Sequence, residues 1–185
     1  MNTLWSGRTE RWPEVRHRAR RTSVALGRVQ GFQPALLRDR LEASGLTVDA
    51  LAVATDVTSQ AVRGWLNGSY KPSAEAVRSL GEALGVDPLT FSGKTLVTAT
   101  LVDLRQRSGL TGAEAAEAAG LNPSQVYTLE QSVTPPKLDH LDALADVYAV
   151  EISDIRRGWL NRRIERFGRE SLGRLSSDML DELEY

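Results

Sequence analysis

Apolar residues recur at helical spacing in short segments along the chain, and the same order of segments occurs twice. Shifting the sequence by 64 residues superimposes apolar positions without a gap, for example Val62 on Val126 and Leu80 on Leu144. The tetrapeptide Ser-Gly-Leu-Thr stands at 44–47 and again at 108–111. A register of this length at one offset indicates two copies of one small helical unit.

The pattern of apolar and capping residues in each copy predicts five short helices. In the first copy they are expected at 34–44, 48–54, 59–67, 74–84 and 87–91, and in the second near 98–108, 112–119, 123–131, 138–148 and 152–157. Thr47 and Ser73 are typical residues before a helix, and Gly45 and Gly68 are typical residues after one. No segment has the pattern of a β-strand, so the predicted fold class is all-α.

The repeat divides the chain into four parts. We expect an N-terminal arm at 1–31, one unit at 32–92, a second unit at 96–157, and a C-terminal helix with an acidic tail at 158–185. An apolar stripe at helical spacing begins at the end of the second unit, with Ile155, Trp159, Leu160, Ile164 and Phe167. Two interpretations stay open for this stripe: it closes the core of the second unit, or it pairs two chains.

Composition narrows the class of protein. Hydrophobic residues make up 41% of the 185 residues, enough for a core, while no segment approaches the ~20 apolar residues of a membrane span. The start of the chain lacks the apolar region of a secretory signal. The absence of cysteine excludes disulfides and thiolate metal sites and suits the cytoplasm. The sequence contains no nucleotide-binding loop, paired acids or metal-binding motif. No cofactor is therefore expected, and an enzyme is the least expected class.

Charge is distributed unevenly. Residues 1–31 hold seven arginines and two glutamates, whereas residues 92–155 hold four basic and nine acidic residues. Phosphates give nucleic acid a high negative charge. The basic arm therefore favours nucleic acid as a partner, and the acidic second unit is expected to repel it. The arm residues expected to contact phosphate are Arg16, Arg18, Arg20 and Arg21. The alternative for the arm is a solvated leader without a ligand.

The stretch LTVDALAVATDVTSQAVRGWLNGSYKPS, at 46–73, resembles the Xre/Cro-type helix-turn-helix family of bacterial and phage repressors. The stretch LTGAEAAEAAGLNPSQVYTLEQ, which begins at Leu110, resembles the same family. Together the resemblances cover about residues 34–155. They imply two tandem five-helix domains of the Cro and lambda-repressor kind, double-stranded DNA as partner, and a cytoplasmic, nucleoid-associated regulator of transcription, most often a repressor.

Two departures from the family pattern stand out. The glutamine that usually follows Leu-Thr is Val48 in the first copy and Gly112 in the second, so a phosphate contact of the family is missing from both. The glycine of the tight turn is present as Gly120, but the first copy has Asp56 there. Aspartate tolerates a left-handed backbone better than most residues, so we expect the turn to survive.

The third helix of the first copy carries the candidate base contacts. The positions expected to face DNA bases are Ser59, Gln60, Arg63 and Gly64. Glutamine pairs with adenine and arginine with guanine through two hydrogen bonds, and a glycine leaves room for close approach. Phosphate contacts are expected near the helix starts and in the loop after the third helix, at Val48, Thr58, Tyr70 and Lys71.

The second copy differs at these positions. Its outward residues would be Pro123, Ser124, Tyr127 and Thr128, and no lysine or arginine lies between Arg107 and Lys137. We retain Ser124, Tyr127 and Thr128 as a second set of candidate base contacts. The alternative is a protein-interaction module, antitoxin-like or an adaptor, whose second unit binds protein. A homodimer through the second unit and the C-terminal helix is a third arrangement.

Overall fold

The computed structural model describes residues 27–174, and this part of the chain is built from helices. The first domain contains α1 (Pro34–Ser44), α2 (Val48–Ala54), α3 (Ser59–Leu66), α4 (Ala74–Leu84) and a 3-10 turn (Pro88–Ser92). The second contains α5 (Leu101–Arg107), α6 (Gly112–Ala118), α7 (Pro123–Glu130), α8 (Leu138–Tyr148) and α9 (Ile152–Phe167), followed by a 3-10 turn (Arg169–Arg174). The predicted all-α class and the tandem arrangement are confirmed. No helix in the described range is long and apolar enough to cross a membrane.

The tight turn between the second and third helices of each domain requires a left-handed backbone. Asp56 adopts it in the first domain, with φ of 51°, and Gly120 adopts it in the second, with φ of 65°. The next helix then begins at a capped position, where the side chain of Thr58 accepts a hydrogen bond from Ala61 N and that of Asn122 from Gln125 N. The expectation that aspartate preserves this turn is confirmed.

One face of each helix of the first domain closes a single core. Leu37, Leu51, Val62 and Leu80 are fully buried there, and Trp65 of α3 is only 5% exposed. Trp65 therefore anchors α3 from inside, which leaves the opposite face of the helix free for other contacts.

The second domain is closed by a helix longer than the sequence pattern predicted. The expected fifth helix at 152–157 and the expected C-terminal helix are one helix, α9, which runs through residues 157 and 158 without a break. The physical reason lies at one position of the repeat. Gly93 ends the 3-10 turn of the first domain with φ of 68°, whereas its counterpart in the second domain is Arg157, which favours continuing the helix.

The apolar stripe of α9 packs on its own domain. Ile155 and Trp159 are fully buried in the second core, and Trp159 Nε1 donates a hydrogen bond to Thr134 O at 3.1 Å. Leu160 and Ile164 are half-buried, and Phe167 at the end of the helix is 47% exposed. Trp159, the central residue of the stripe, is thus enclosed by its own domain. Pairing of two chains through the second domain and the C-terminal helix stays a prediction.

The segment between the two domains is held by side chains from both. Arg107 Nε donates to Asp87 Oδ2 at 2.8 Å, across the junction of α5 with the first domain. Asn161 of α9 donates to Val97 O and Ala99 O at 2.9 and 2.8 Å. Lys94 pairs with Asp103 of α5 at 2.6 Å. The two domains therefore meet through a bonded junction, and α9 reaches back to it.

Candidate nucleic-acid interface

The helix α3 is fixed at both ends as well as from inside. Thr58 caps its first turn. At its last turn, Arg38 Nη2 of α1 donates a hydrogen bond to Leu66 O at 2.7 Å, which satisfies a carbonyl that the helix itself leaves unpaired. A helix held in this way presents its outer side chains in a defined direction, as recognition in a DNA groove requires. The role of Arg38 was not predicted from sequence.

Two of the predicted base contacts lie on the accessible face of α3. Gln60 is exposed and Ser59 is half-buried. The side chain of Arg63 is 62% exposed, and its Nη2 lies 3.4 Å from Oδ1 of Asp49 on α2. Gln60 and Arg63 are thus accessible, with polar groups suited to base edges. The contact with Asp49 joins residues 14 apart, which explains why helical spacing alone did not reveal it.

Gly64 does not face outward as predicted. It is buried, because the loop after α3 folds back and lays the ring of Tyr70 over it. A methyl group at Gly64 would overlap that ring. The Tyr70 hydroxyl donates a hydrogen bond to Gln60 O at 3.0 Å. The prediction that Gly64 provides close approach to DNA is therefore wrong in its orientation: the missing side chain makes room for a tyrosine of the same domain.

The remaining candidates for phosphate contact lie around this face. Lys71 is half-buried, and its Nζ donates to Gln30 O at 2.6 Å, which ties the loop to the segment that precedes α1. Thr58 is exposed at the start of α3, and Val48 is half-buried in the first turn of α2. The four arm residues, Arg16, Arg18, Arg20 and Arg21, lie outside the described residues. The phosphate roles of all these residues stay predictions.

The corresponding face of the second domain has fewer free polar groups. Ser124 Oγ donates to Asn122 Oδ1 at 2.6 Å, within the first turn of α7. Thr128 Oγ1 donates to Ser124 O at 3.0 Å and is also 2.9 Å from Gln125 O. Thr128 is half-buried, whereas Ser124 is exposed and Tyr127 has 63% of its surface exposed. Two of the three hydroxyls are therefore already used inside the helix.

The helix α7 is held by charged groups where α3 is held by apolar ones. Arg105 and Glu130 form a largely buried ion pair at the positions of Leu41 and Leu66 in the first domain. Arg105 Nε donates to Glu130 Oε1, and Arg105 Nη2 lies 3.3 Å from Glu130 Oε2. Burial raises the pKa of the neighbouring Tyr148 hydroxyl far above its ordinary range, and the Glu130 carboxylate raises it further. The base of α7 thus contains an ion pair that has little exposure to solvent.

Arginines of α9 bind the end of α7. Arg163 Nη1 donates to Ser132 O, and Arg166 Nη1 donates to Gln131 O, both at 3.1 Å. Both guanidinium groups also lie over the ring of Phe167, at 5.6 and 5.0 Å from its centroid. These cations therefore stabilise the loop after α7.

The surface around α7 carries apolar side chains. Tyr127 stands at the position of Arg63, and Val133 at the position of Ser69. Val133 is 56% exposed, and Leu138 at the start of α8 is 59% exposed. We call Tyr127, Val133 and Leu138 the apolar face of the second domain. None of these three side chains can neutralise a phosphate. A contiguous exposed patch of such residues would mark contact with another protein.

Comparison with known proteins supports this geometry. A family model described as a helix-turn-helix domain matches residues 35–90 and, a second time, residues 97–157. The two matches fall on the two domains and together cover more than half of the chain. The predicted resemblance is confirmed at this level. No curated protein and no solved structure matches the chain significantly.

The contact between Gly64 and Tyr70 predicts that Gly64→Ala changes the free energy of unfolding in opposite directions with and without the Tyr70 side chain. In the wild-type chain, Gly64→Ala should destabilise the domain by about 1–3 kcal/mol, because the new methyl group overpacks against the ring. In a Tyr70→Ala chain the same change should stabilise by about 1 kcal/mol, because alanine is a better helix former than glycine. Urea unfolding of the four proteins measures both values as a double-mutant cycle. Equal effects of Gly64→Ala in the two backgrounds would contradict the contact.

Proposed function

The chain belongs to the helix-turn-helix domain family, and from this premise we propose that it is a sequence-specific DNA-binding regulator of transcription. We place it among repressors of the Xre/Cro type, acting in the cytoplasm on the nucleoid. The first domain reads the major groove of double-stranded DNA with α3. The observation that carries this proposal is the outer face of α3, where Gln60 and Arg63 are accessible on a helix held at both ends.

The proposed roles follow from hydrogen-bonding geometry. The amide of Gln60 suits adenine, which presents one donor and one acceptor in the major groove, and the guanidinium of Arg63 suits guanine, which presents two acceptors. Ser59 lies half-buried beside them and contributes a hydroxyl at the start of the helix. Thr58, Lys71 and the first turn of α2 at Val48 are proposed to contact phosphate. Tyr70 supports α3 through Gly64 and Gln60.

The arginine-rich arm is proposed to add affinity that does not depend on sequence. Seven arginines lie between residues 1 and 31, ahead of a first domain in which acidic residues outnumber basic ones. Each arginine that neutralises a phosphate releases counterions, which favours binding at low salt. The arm enters the described part of the chain at Arg28, which is exposed and pairs with Ser73 in an isolated β-bridge beside the loop after α3. This contact supports the proposal, because the end of the arm lies against the loop that follows α3.

The second domain is proposed to bind protein, and its proposed partner is a second copy of the chain. A single unit of this kind makes few contacts, so regulators commonly present two reading helices about one helical turn of DNA apart. The α7 helix is a poor second reader, because the Ser124 and Thr128 hydroxyls are bonded internally and the sequence has no lysine or arginine between Arg107 and Lys137. The apolar face supplies the proposed contact between copies in place of the buried Trp159 stripe.

The reading role predicts a loss confined to the specific site. Gln60→Ala and Arg63→Ala should each weaken binding there by about 1–3 kcal/mol. Both should leave stability unchanged, because both side chains are exposed. A specific duplex is first selected from a randomised pool and then titrated against a scrambled duplex. Ser124→Ala, in the matching helix of the second domain, serves as the control and should bind as the wild type does. Equal affinity of the wild type for both duplexes would contradict the proposal.

The arm predicts a change in salt dependence. Deleting residues 1–22 should weaken binding to specific and scrambled duplexes together and flatten the plot of log affinity against log salt. Replacing Arg16, Arg18, Arg20 and Arg21 by lysine preserves charge and should retain the slope. Fluorescence anisotropy across a salt series measures both variants. A truncated chain with the slope of the full chain would show that the arm does not contact DNA.

The pairing of copies predicts the stoichiometry of the complex. Light scattering should give two chains on a duplex that carries a palindromic site, and a Tyr127→Asp, Val133→Asp variant should give one. Val53→Asp is the matched control, because Val53 is an exposed apolar residue of the first domain, at 83% exposure. One wild-type chain per duplex, together with loss of base discrimination on Tyr127→Ala, would instead establish a monomer that reads with both domains.

A further inference from the structure

An acidic side chain lies beside the candidate guanine contact, on the surface proposed to face DNA. Asp49 stands in the first turn of α2, and its Oδ1 is 3.4 Å from Nη2 of Arg63. The two side chains remain 71% and 62% exposed. A carboxylate near phosphates weakens DNA binding. Affinity for DNA alone therefore does not explain an aspartate at position 49.

Within residues 27–174, Arg63 is the cation that pairs with Asp49. The two helices that carry them are joined by the tight turn at Asp56, and Val57 N donates to Ala52 O at 3.0 Å across it. The relative positions of the Cα atoms of Asp49 and Arg63 are thus determined by backbone that has little freedom. An exposed ion pair of this kind contributes little to stability. Its main consequence is therefore the direction in which it holds the guanidinium of Arg63.

We propose that Asp49 is a positioning residue for Arg63 and sets its preference for guanine. The inference rests on the proposed function of α3. A guanidinium has five N–H donors, so one Nη can bond to Asp49 while two other N–H groups bond to O6 and N7 of guanine. A free arginine is long and adopts many rotamers, and it contacts any phosphate or base edge within reach. Holding one end narrows this choice to the orientation that suits guanine.

The proposal predicts that removing Asp49 raises the affinity for DNA in general and lowers the specificity for guanine. Removing Asp49 releases Arg63 to other partners and removes a negative charge that faces phosphate. Binding to all sequences should then strengthen, while discrimination in favour of guanine falls. A structural role for Asp49 has a different signature. An acid in the first turn stabilises α2 through the helix dipole, so a loss of that role would lower the melting temperature and weaken binding to every duplex in proportion.

The experiment uses the full chain and duplexes selected from a randomised pool. Arg63→Ala first identifies the guanine that this residue reads. Affinities are then compared for a duplex with that guanine and for one with deazaguanine, in which a C–H group replaces N7. The wild type should prefer guanine by roughly tenfold. Asp49→Ala should reduce this preference to about threefold or less. The same variant should bind the deazaguanine duplex more tightly, by about twofold or more.

Two further variants make the comparison specific. Asp39→Ala removes an exposed carboxylate from α1, for which the described residues show no ion pair, and should retain the guanine preference. Asp49→Asn keeps the shape of the side chain and a neutral acceptor, so its preference should fall between those of the wild type and Asp49→Ala. It also retains a residue type compatible with the start of a helix, should Asp49→Ala unfold α2.

The outcomes separate the two proposals. Loss of guanine preference in Arg63→Ala, with full preference in both Asp49 variants, would overturn the role of Asp49 and leave the reading role of α3 intact. Proportional weakening on both duplexes with a lower melting temperature would also overturn it, in favour of a structural role. A wild-type chain that selects no sequence from the pool would overturn the proposed function and this inference together.

Discussion

The packing of α3 against α2 depends on one backbone conformation, the left-handed residue that closes the turn between them. At Asp56, φ of 51° reverses the chain within three residues, so that α3 begins at once on the cap supplied by Thr58. Only then does Trp65 reach the core while Gln60 and Arg63 remain outside. The exposed face of α3 and the approach of Asp49 to Arg63 both follow from this turn. A longer connection would leave the angle between the helices undetermined.

The two domains show how one fold diverges through substitutions in the same register. Leu41 and Leu66 are replaced by the buried pair Arg105 and Glu130, so an apolar contact becomes a polar one without a change of fold. A buried pair of this kind adds little net stability over an apolar pair, but removing one of its partners is costly. The difference between Gly93 and Arg157 affects where an element ends. Gly93 ends the 3-10 turn of the first domain, whereas at Arg157 the corresponding segment continues as the long helix α9.

The substitutions also divide the chemistry between the domains. The first domain keeps accessible donors on α3. In the second domain, Ser124 donates to the side chain of Asn122, Thr128 donates to backbone carbonyls of α7, and arginines of α9 donate to the carbonyls after α7. The excess of acidic residues between 92 and 155 adds repulsion from phosphate to this loss of free donors. The same scaffold therefore presents accessible polar side chains on α3 in one copy and exposed apolar side chains around α7 in the other.

The sequence by itself determined the helices, their caps and the tandem repeat, because these depend on neighbours a few residues apart and on a register that the chain repeats. It also placed Gln60 and Arg63 on the outer face of α3, since helical periodicity assigns faces. Tertiary structure decided what periodicity cannot: that Gly64 lies under Tyr70, that Trp159 closes its own domain, and that α9 arginines bind carbonyls. Each of these depends on contacts between elements distant in the chain, whose directions are set only when the cores have packed.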